Sequence, residues 1–173
     1  MMKKCELGRS SHLSELEVGD VFLQQSSSGA KLIICASDSS KAQDAKTIFA
    51  YADSTPVLRL VETRTSSIGT VSGWVLPKDF KIIPEFASLT TEILHNQNVC
   101  SNLLFLAKDG EILIPIMSPN SQFQDPIGWL GMSDFKYRST PERFLENLCC
   151  FLRWGIHIKI GDEYVPVWMN KTE

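Results

Sequence analysis

The alternation of apolar and polar positions is most regular near the C-terminal end of the chain. In IHIKIGDEYVPVWM, residues 156–169, Ile156 and Ile158 fall on one side of an extended strand, and His157 and Lys159 on the other. Gly161-Asp162 separates the two runs and suits a two-residue hairpin loop. The spacing predicts that Ile158 faces Val165 and Ile156 faces Val167, on a core face. His157, Lys159 and Tyr164 share the partly wet face. A second hairpin is predicted around Asp109-Gly110. Its runs, 103–106 and 112–116, are apolar on both faces, so it belongs in the middle of the fold, covered on both sides.

Each hairpin follows a stretch with helical signals, 88–97 and 141–153. In the second, Thr140 can cap, Pro141 suits the first position, and Glu142 and Glu146 sit toward the positive end of the dipole. Phe144, Leu145, Leu148, Cys149, Phe151 and Leu152 make a wide apolar face, with Arg143, Glu146 and Asn147 away from it. Arg153 and Gly155 suit the last turn and its stop. Aligning the two hairpin loops also pairs Glu111 with Glu163 and Met117 with Met169. The expectation for 85–173 is two αββ units in a row.

Residues 13–84 read as β-rich. Val18 to Leu23 and AKLIICA (30–36) form a hairpin across a Ser-rich turn. KAQDAKTIFAYA (41–52) fits a helix with Ala42, Ala45, Phe49 and Ala52 near one face, and fits equally a strand over Thr47 to Tyr51. VLRLVETR alternates, with Leu58 and Leu60 against Arg59. GWVLP and FKIIP are short strands ended by Pro77 and Pro84, which cannot donate to a ladder. Residues 1–12 read as a tail. The fold class expected is therefore α+β. A strongly bent, β-rich part resembling a partial barrel precedes two αββ units that form an antiparallel sheet with helices on one face, as two parts or one continuous domain.

Composition narrows the function classes. A chain of 173 residues can build one sizeable core or two small lobes. At 43% hydrophobic and 21% charged it is not broadly disordered. The longest apolar run is far shorter than the ~20 residues that span a bilayer. A net charge of −3 argues against nucleic acid as the partner. Lys3-Lys4 and Cys5 lack an adjoining apolar region, so neither a signal peptide nor a lipid anchor is expected. Five cysteines, an odd number without secretory context, point to reduced thiols and a cytoplasmic location. Cys35 and Cys149 are expected to be buried.

Candidate chemistry is sparse. Adjacent Cys149 and Cys150 bridge only with strain, and their spacing is not that of a zinc site. His95 and Cys100 lack an orienting third group. No glycine-rich phosphate cradle is present. Neither a metal nor a cofactor is expected. The segment 118–139 is long for a connection and rich in aromatics, which marks it either as a functional loop or as a plug for the core. Its candidate binding residues are Asp125, Trp129, Phe135, Tyr137 and Arg138, a mixture of aromatic anchors and charges that recurs at binding hot spots.

The leading expectation is a non-enzymatic binding or adaptor module that recognises a protein partner through this loop, with Trp129 as anchor. Self-association as a homodimer is compatible with it. One alternative is a small-molecule binder with an aromatic pocket between the two halves, lined by Trp74, Trp129 and Trp154. Another is a cysteine-dependent enzyme using Cys100 or Cys150.

Overall fold

The computed structural model describes residues 8–26, 29–38, 45–52, 57–61, 72–90, 103–107, 109–116, 126–139 and 149–170. The first half runs through β1 (Arg9–His12), a 3-10 turn at Leu13–Glu15, β2 (Val21–Ser26), β3 (Gly29–Asp38), β4 (Ala45–Ala52), β5 (Val57–Val61) and β6 (Ser72–Val75). Next come β7 (Lys81–Pro84), a 3-10 turn at Phe86–Ser88, and β8 (Leu89–Thr90). The second half contains β9 (Leu104–Leu106), β10 (Ile112–Ile116), β11 (Gly128–Gly131), β12 (Lys136–Arg138), β13 (Cys149–Phe151), β14 (Trp154–Ile160) and β15 (Glu163–Met169). Twelve strands share one sheet in the order β1-β6-β2-β3-β12-β11-β10-β9-β13-β8, with β4 and β5 branching from β3. The other three form a second sheet, β15-β14-β7.

The fold is mostly β, which overturns the α+β expectation. Among the described residues there is no α-helix, hence no helical layer on one face of a sheet. Cys149 to Phe151, read as the end of a helix, is a strand paired with β9 on one side and β8 on the other. Leu89–Thr90, placed at the start of the other helix, is also strand. Residues 91–100 and 141–148, including Glu146 and Leu148, lie outside the described residues. The physical reason is visible in LCCFL: a run apolar on every side fits a strand buried on both faces as well as a helix, and periodicity alone does not separate them. Nor do the two hairpins join into one repeat sheet, since β9–β10 and β14–β15 belong to different sheets.

The hairpins themselves form, with changes in each: Val165, expected on the core face, is exposed, and both pairings shift as follows. Ile160 pairs with Glu163 across Gly161-Asp162, and Ile158 faces Val165. Gly161 has φ 67, the conformation that a type II′ turn requires at its first central position. Further along, His157 pairs with Pro166 but Ile156 pairs with Trp168, so Val167 is the extra residue of a bulge. The bulge turns Trp168 inward, where its ring lies 5.1 Å from that of Trp154. In the other hairpin Leu106 pairs with Ile112 and the Ala107 N–H donates to the Glu111 carbonyl, which makes the loop three residues long. Gly110, with φ 87, supplies the left-handed residue that such a loop needs. This hairpin is covered on both faces, as its composition implies. Leu104 and Ile114 join the main core, while Leu103, Phe105 and Leu113 join a cluster on the opposite face.

β4 resolves the ambiguity at 41–52 in favour of strand. It pairs with β3 from Leu32–Tyr51 to Asp38–Ala45. Phe49 faces the main core, and Ile48 and Ala50 face a second cluster with Leu13, Leu16, Phe22 and Cys35. That alternation is the period of a strand.

β3 joins the two halves. Its first part pairs with β2, from Val21–Ile34 to Ser26–Gly29. Its last two residues pair in parallel with β12, Lys136–Ser37 and Tyr137–Asp38. The main core lies between the sheets, with Leu32, Ile34 and Phe49 from the large one facing Trp154, Ile156 and Trp168 from the small one.

The sheets are also joined by two chain segments that run from one to the other. β7 leads through Phe86–Ser88 into β8, and β13 leads through Leu152 and Arg153 into β14. At these bends side chains replace ladder bonds. The buried Ser88 hydroxyl donates to the Glu85 carbonyl (2.7 Å) and accepts from the Arg153 N–H (3.0 Å). Buried Asn170 accepts from the Trp154 N–H and donates to the Leu152 carbonyl, both at 2.7 Å.

Candidate functional site

A cleft of about 300 Å³ opens at one margin of the main core, between the two sheets and between the two halves of the chain. Phe80, Ile82, Ile112 and Met132 form its apolar floor, and Phe135 its wall. Gly19, Gly110 and Ser133 complete the rim, with Lys78 as the one charged residue among the described residues that line it. The cleft exists because β2 and β12 both pair with β3 and part where Gly19 and Phe135 meet. The Gly19 N–H donates to the Cys35 carbonyl (2.9 Å), and the Ser37 N–H donates to the Phe135 carbonyl (2.9 Å).

Phe135 has φ 53, the only left-handed non-glycine residue among those described. A bulky side chain in that conformation costs of order 1–3 kcal/mol, and such strain gathers at functional sites. Here it aims the Phe135 ring at Phe80, edge to face, with centroids 6.3 Å apart.

The basic side of the rim is anchored from below. Asp20 is buried, and its carboxylate accepts from the Lys78 ammonium (2.6 Å), the Glu17 N–H (2.8 Å) and Arg9 (3.3 Å). Burial pushes the Asp20 carboxyl up, but the Glu17 N–H and the Lys78 ammonium together outweigh it and hold the carboxyl below the ordinary aspartate value. A lowered carboxyl stabilises the fold at pH above the unfolded-state value, about 4, and that contribution is lost as pH falls through the folded value. Asp20→Asn is therefore expected to destabilise the protein at neutral pH, with the gap to the parent narrowing below about pH 4. Urea unfolding at a series of pH values measures this; a gap that stays constant down to pH 2–3 contradicts it.

Beside the lining residue Ser133, Arg138 pairs with Asp134 (2.7 Å) and Glu111 (3.5 Å), and Ser133 Oγ donates to Glu111 (3.3 Å). This network lies across the backbone at Gly131, where a methyl group would overlap Glu111 and Arg138.

The sequence-derived site residues separate. Phe135 lines the cleft, and Arg138 belongs to the ion-pair network beside Ser133. Trp129 is a strand residue, 6% exposed, packed edge-on against Phe105 at 5.0 Å on the opposite face of the sheet. Tyr137 is buried beside Phe49, and its hydroxyl donates to the Ile127 carbonyl (3.1 Å). Asp125 lies outside the described residues.

Trp74, Trp129 and Trp154 do not line the described cleft. Trp74 is exposed on β6, and Trp129 and Trp154 occupy different core clusters. The cleft between the halves is lined by phenylalanines instead. Sequence reading missed Phe80, Ile82, Ile112 and Met132, because an apolar residue at a core margin has the same local pattern as one in the interior.

The thiols follow the strand period. Cys35 is buried and free, and burial pushes its thiol up to about 11, so it stays protonated at neutral pH. Cys150 rather than Cys149 is the buried member of the pair, and its thiol is hydrogen-bonded to the Thr90 carbonyl. Cys149, expected on a buried helix face, is half-buried, since adjacent strand residues point to opposite faces. Cys100 and His95 lie outside the described residues. Among the described residues no group of acidic, histidine or cysteine side chains is arranged to hold a metal ion, and no helix is long and apolar enough to cross a membrane. No family model, no curated protein and no solved structure matches this chain.

Proposed function

We propose that this chain is a non-enzymatic binding module for a protein partner, and that the cleft receives the partner's anchoring side chain. The observation that carries this reading is the strained Phe135 on a largely apolar cleft. About 300 Å³ stands at the lower end of ligand-site volumes, and it suits one large apolar side chain inserted from outside. Phe80, Ile82, Ile112 and Phe135 pack against the main core and are only partly buried, so an incoming side chain would complete the packing that the fold leaves open.

A block placed at the rim tests this. Ser133 is exposed and lines the cleft, so Ser133→Trp can cover it without disturbing the interior. Random peptides displayed against the whole chain are expected to yield binders that share one large apolar residue. Truncating that residue to alanine should weaken binding about thirtyfold or more. Ser133→Trp should abolish binding and leave the melting temperature within a degree or two. Binders that ignore Ser133→Trp, or a failure to obtain any, reject the reading.

The same volume also admits a small apolar molecule. Native mass spectrometry distinguishes this case: a bound compound retained by the parent and absent from Ser133→Trp would transfer the site to a small ligand.

A further inference from the structure

Lys78 is the one charged residue among the described residues that line the cleft, and its side chain is 65% exposed.

The Lys78 ammonium has three N–H donors, and among the described residues Asp20 is its one hydrogen-bond partner. Asp20 does not depend on it alone, since the Glu17 N–H and Arg9 also hold that carboxylate. Lys78 can therefore turn a second donor outward to an incoming anion without abandoning the buried one.

We infer that the partner segment taken up by the cleft carries an aspartate or glutamate next to its apolar anchor, and that this carboxylate accepts a hydrogen bond from Lys78. The inference rests on the cleft being the binding site. An exposed pair of this kind is worth little in affinity; its effect is on selection and orientation.

The test uses peptides selected on the whole chain as above. Binders are expected to be enriched in Asp or Glu within one or two positions of the anchor. Changing that acid to its amide should weaken binding to the parent about two- to fivefold, the range of an exposed ion pair. The same change should make no difference to Lys78→Met, whereas Lys78→Arg should preserve the preference. Melting curves of both variants establish that they fold, with Asp20 still held by Arg9 and Glu17.

Peptides that bind and are blocked by Ser133→Trp, but lack acidic enrichment, overturn this inference and leave the cleft reading standing. An equal loss on parent and Lys78→Met does the same. If no peptide is blocked by Ser133→Trp, the cleft reading fails, and this inference fails with it.

Discussion

Trp129→Ala is expected to destabilise the protein by about 3–5 kcal/mol, the range for emptying a buried aromatic site. The ring is 6% exposed and touches the cluster formed by Leu103, Phe105, Ala107, Leu113 and Cys150. Its edge-to-face contact with Phe105 adds to the area it buries. β11 lies inside the large sheet, between β10 and β12, so the backbone cannot move in to fill the hole. Urea unfolding followed by far-UV circular dichroism measures the cost, and Trp129→Phe should recover part of it. A loss below about 1 kcal/mol would mean that the ring is dispensable to the core and would return Trp129 to consideration as a partner's anchor.

Asn170→Ala is expected to produce the second large loss. Its amide satisfies the Trp154 N–H and the Leu152 carbonyl where the chain turns from the large sheet into the small one. Alanine leaves both without that partner, the Trp154 N–H in a buried setting and the Leu152 carbonyl in a partly buried one, at about 1–3 kcal/mol for each group left unsatisfied. The backbone bond from the Asn170 N–H to the Trp154 carbonyl, 3.0 Å, can survive the change, so the strand need not detach. Asn170→Asp keeps an acceptor for Trp154 but offers Leu152 no donor and buries a charge, so it should not rescue. Equilibrium unfolding of the two variants is the measurement. Stability of Asn170→Ala within 0.5 kcal/mol of the parent would show that water replaces the amide at the bend.

Turns and alternation were legible in the sequence, because both are local. Gly161-Asp162 sets its hairpin, and the doubly apolar runs around Asp109-Gly110 correctly imply a central position. The end of the predicted helix, Cys149 to Arg153, differs for an equally local reason. A capped, apolar-faced segment satisfies helix rules, while what makes Cys149 to Phe151 a strand is the presence of β8 and β9 on either side. Those partners lie far away in sequence. Likewise, the bulge at Val167 has no signature in VPVWM; it follows from drawing the large Trp168 ring inward toward Trp154.

The candidate site was the least legible part. Phe135 was singled out as an aromatic in a long segment, but its neighbours on the cleft come from four separate stretches of chain. Only the parting of β2 and β12 along β3 brings them together. The burial of Trp129 and Tyr137 was equally invisible, since GWLG and KYR contain no alternation long enough to mark them as interior strands.

The pairing of β3 with β12 has a consequence for the order of events on the ribosome. Asp38 and Tyr137 are direct partners, yet roughly a hundred residues separate them, which takes on the order of 5–20 seconds to synthesise. Throughout that interval the end of β3 waits with an unfilled row of backbone donors and acceptors, the kind of open edge on which nascent chains aggregate. Gly19 and Asp20 shorten the exposed stretch, because the turn before β2 already bonds to Cys35. What remains open is Ser37 and Asp38. The nascent protein is therefore exposed to misassembly at this edge until β12 is made, and closure of β12 is the step that ends the hazard.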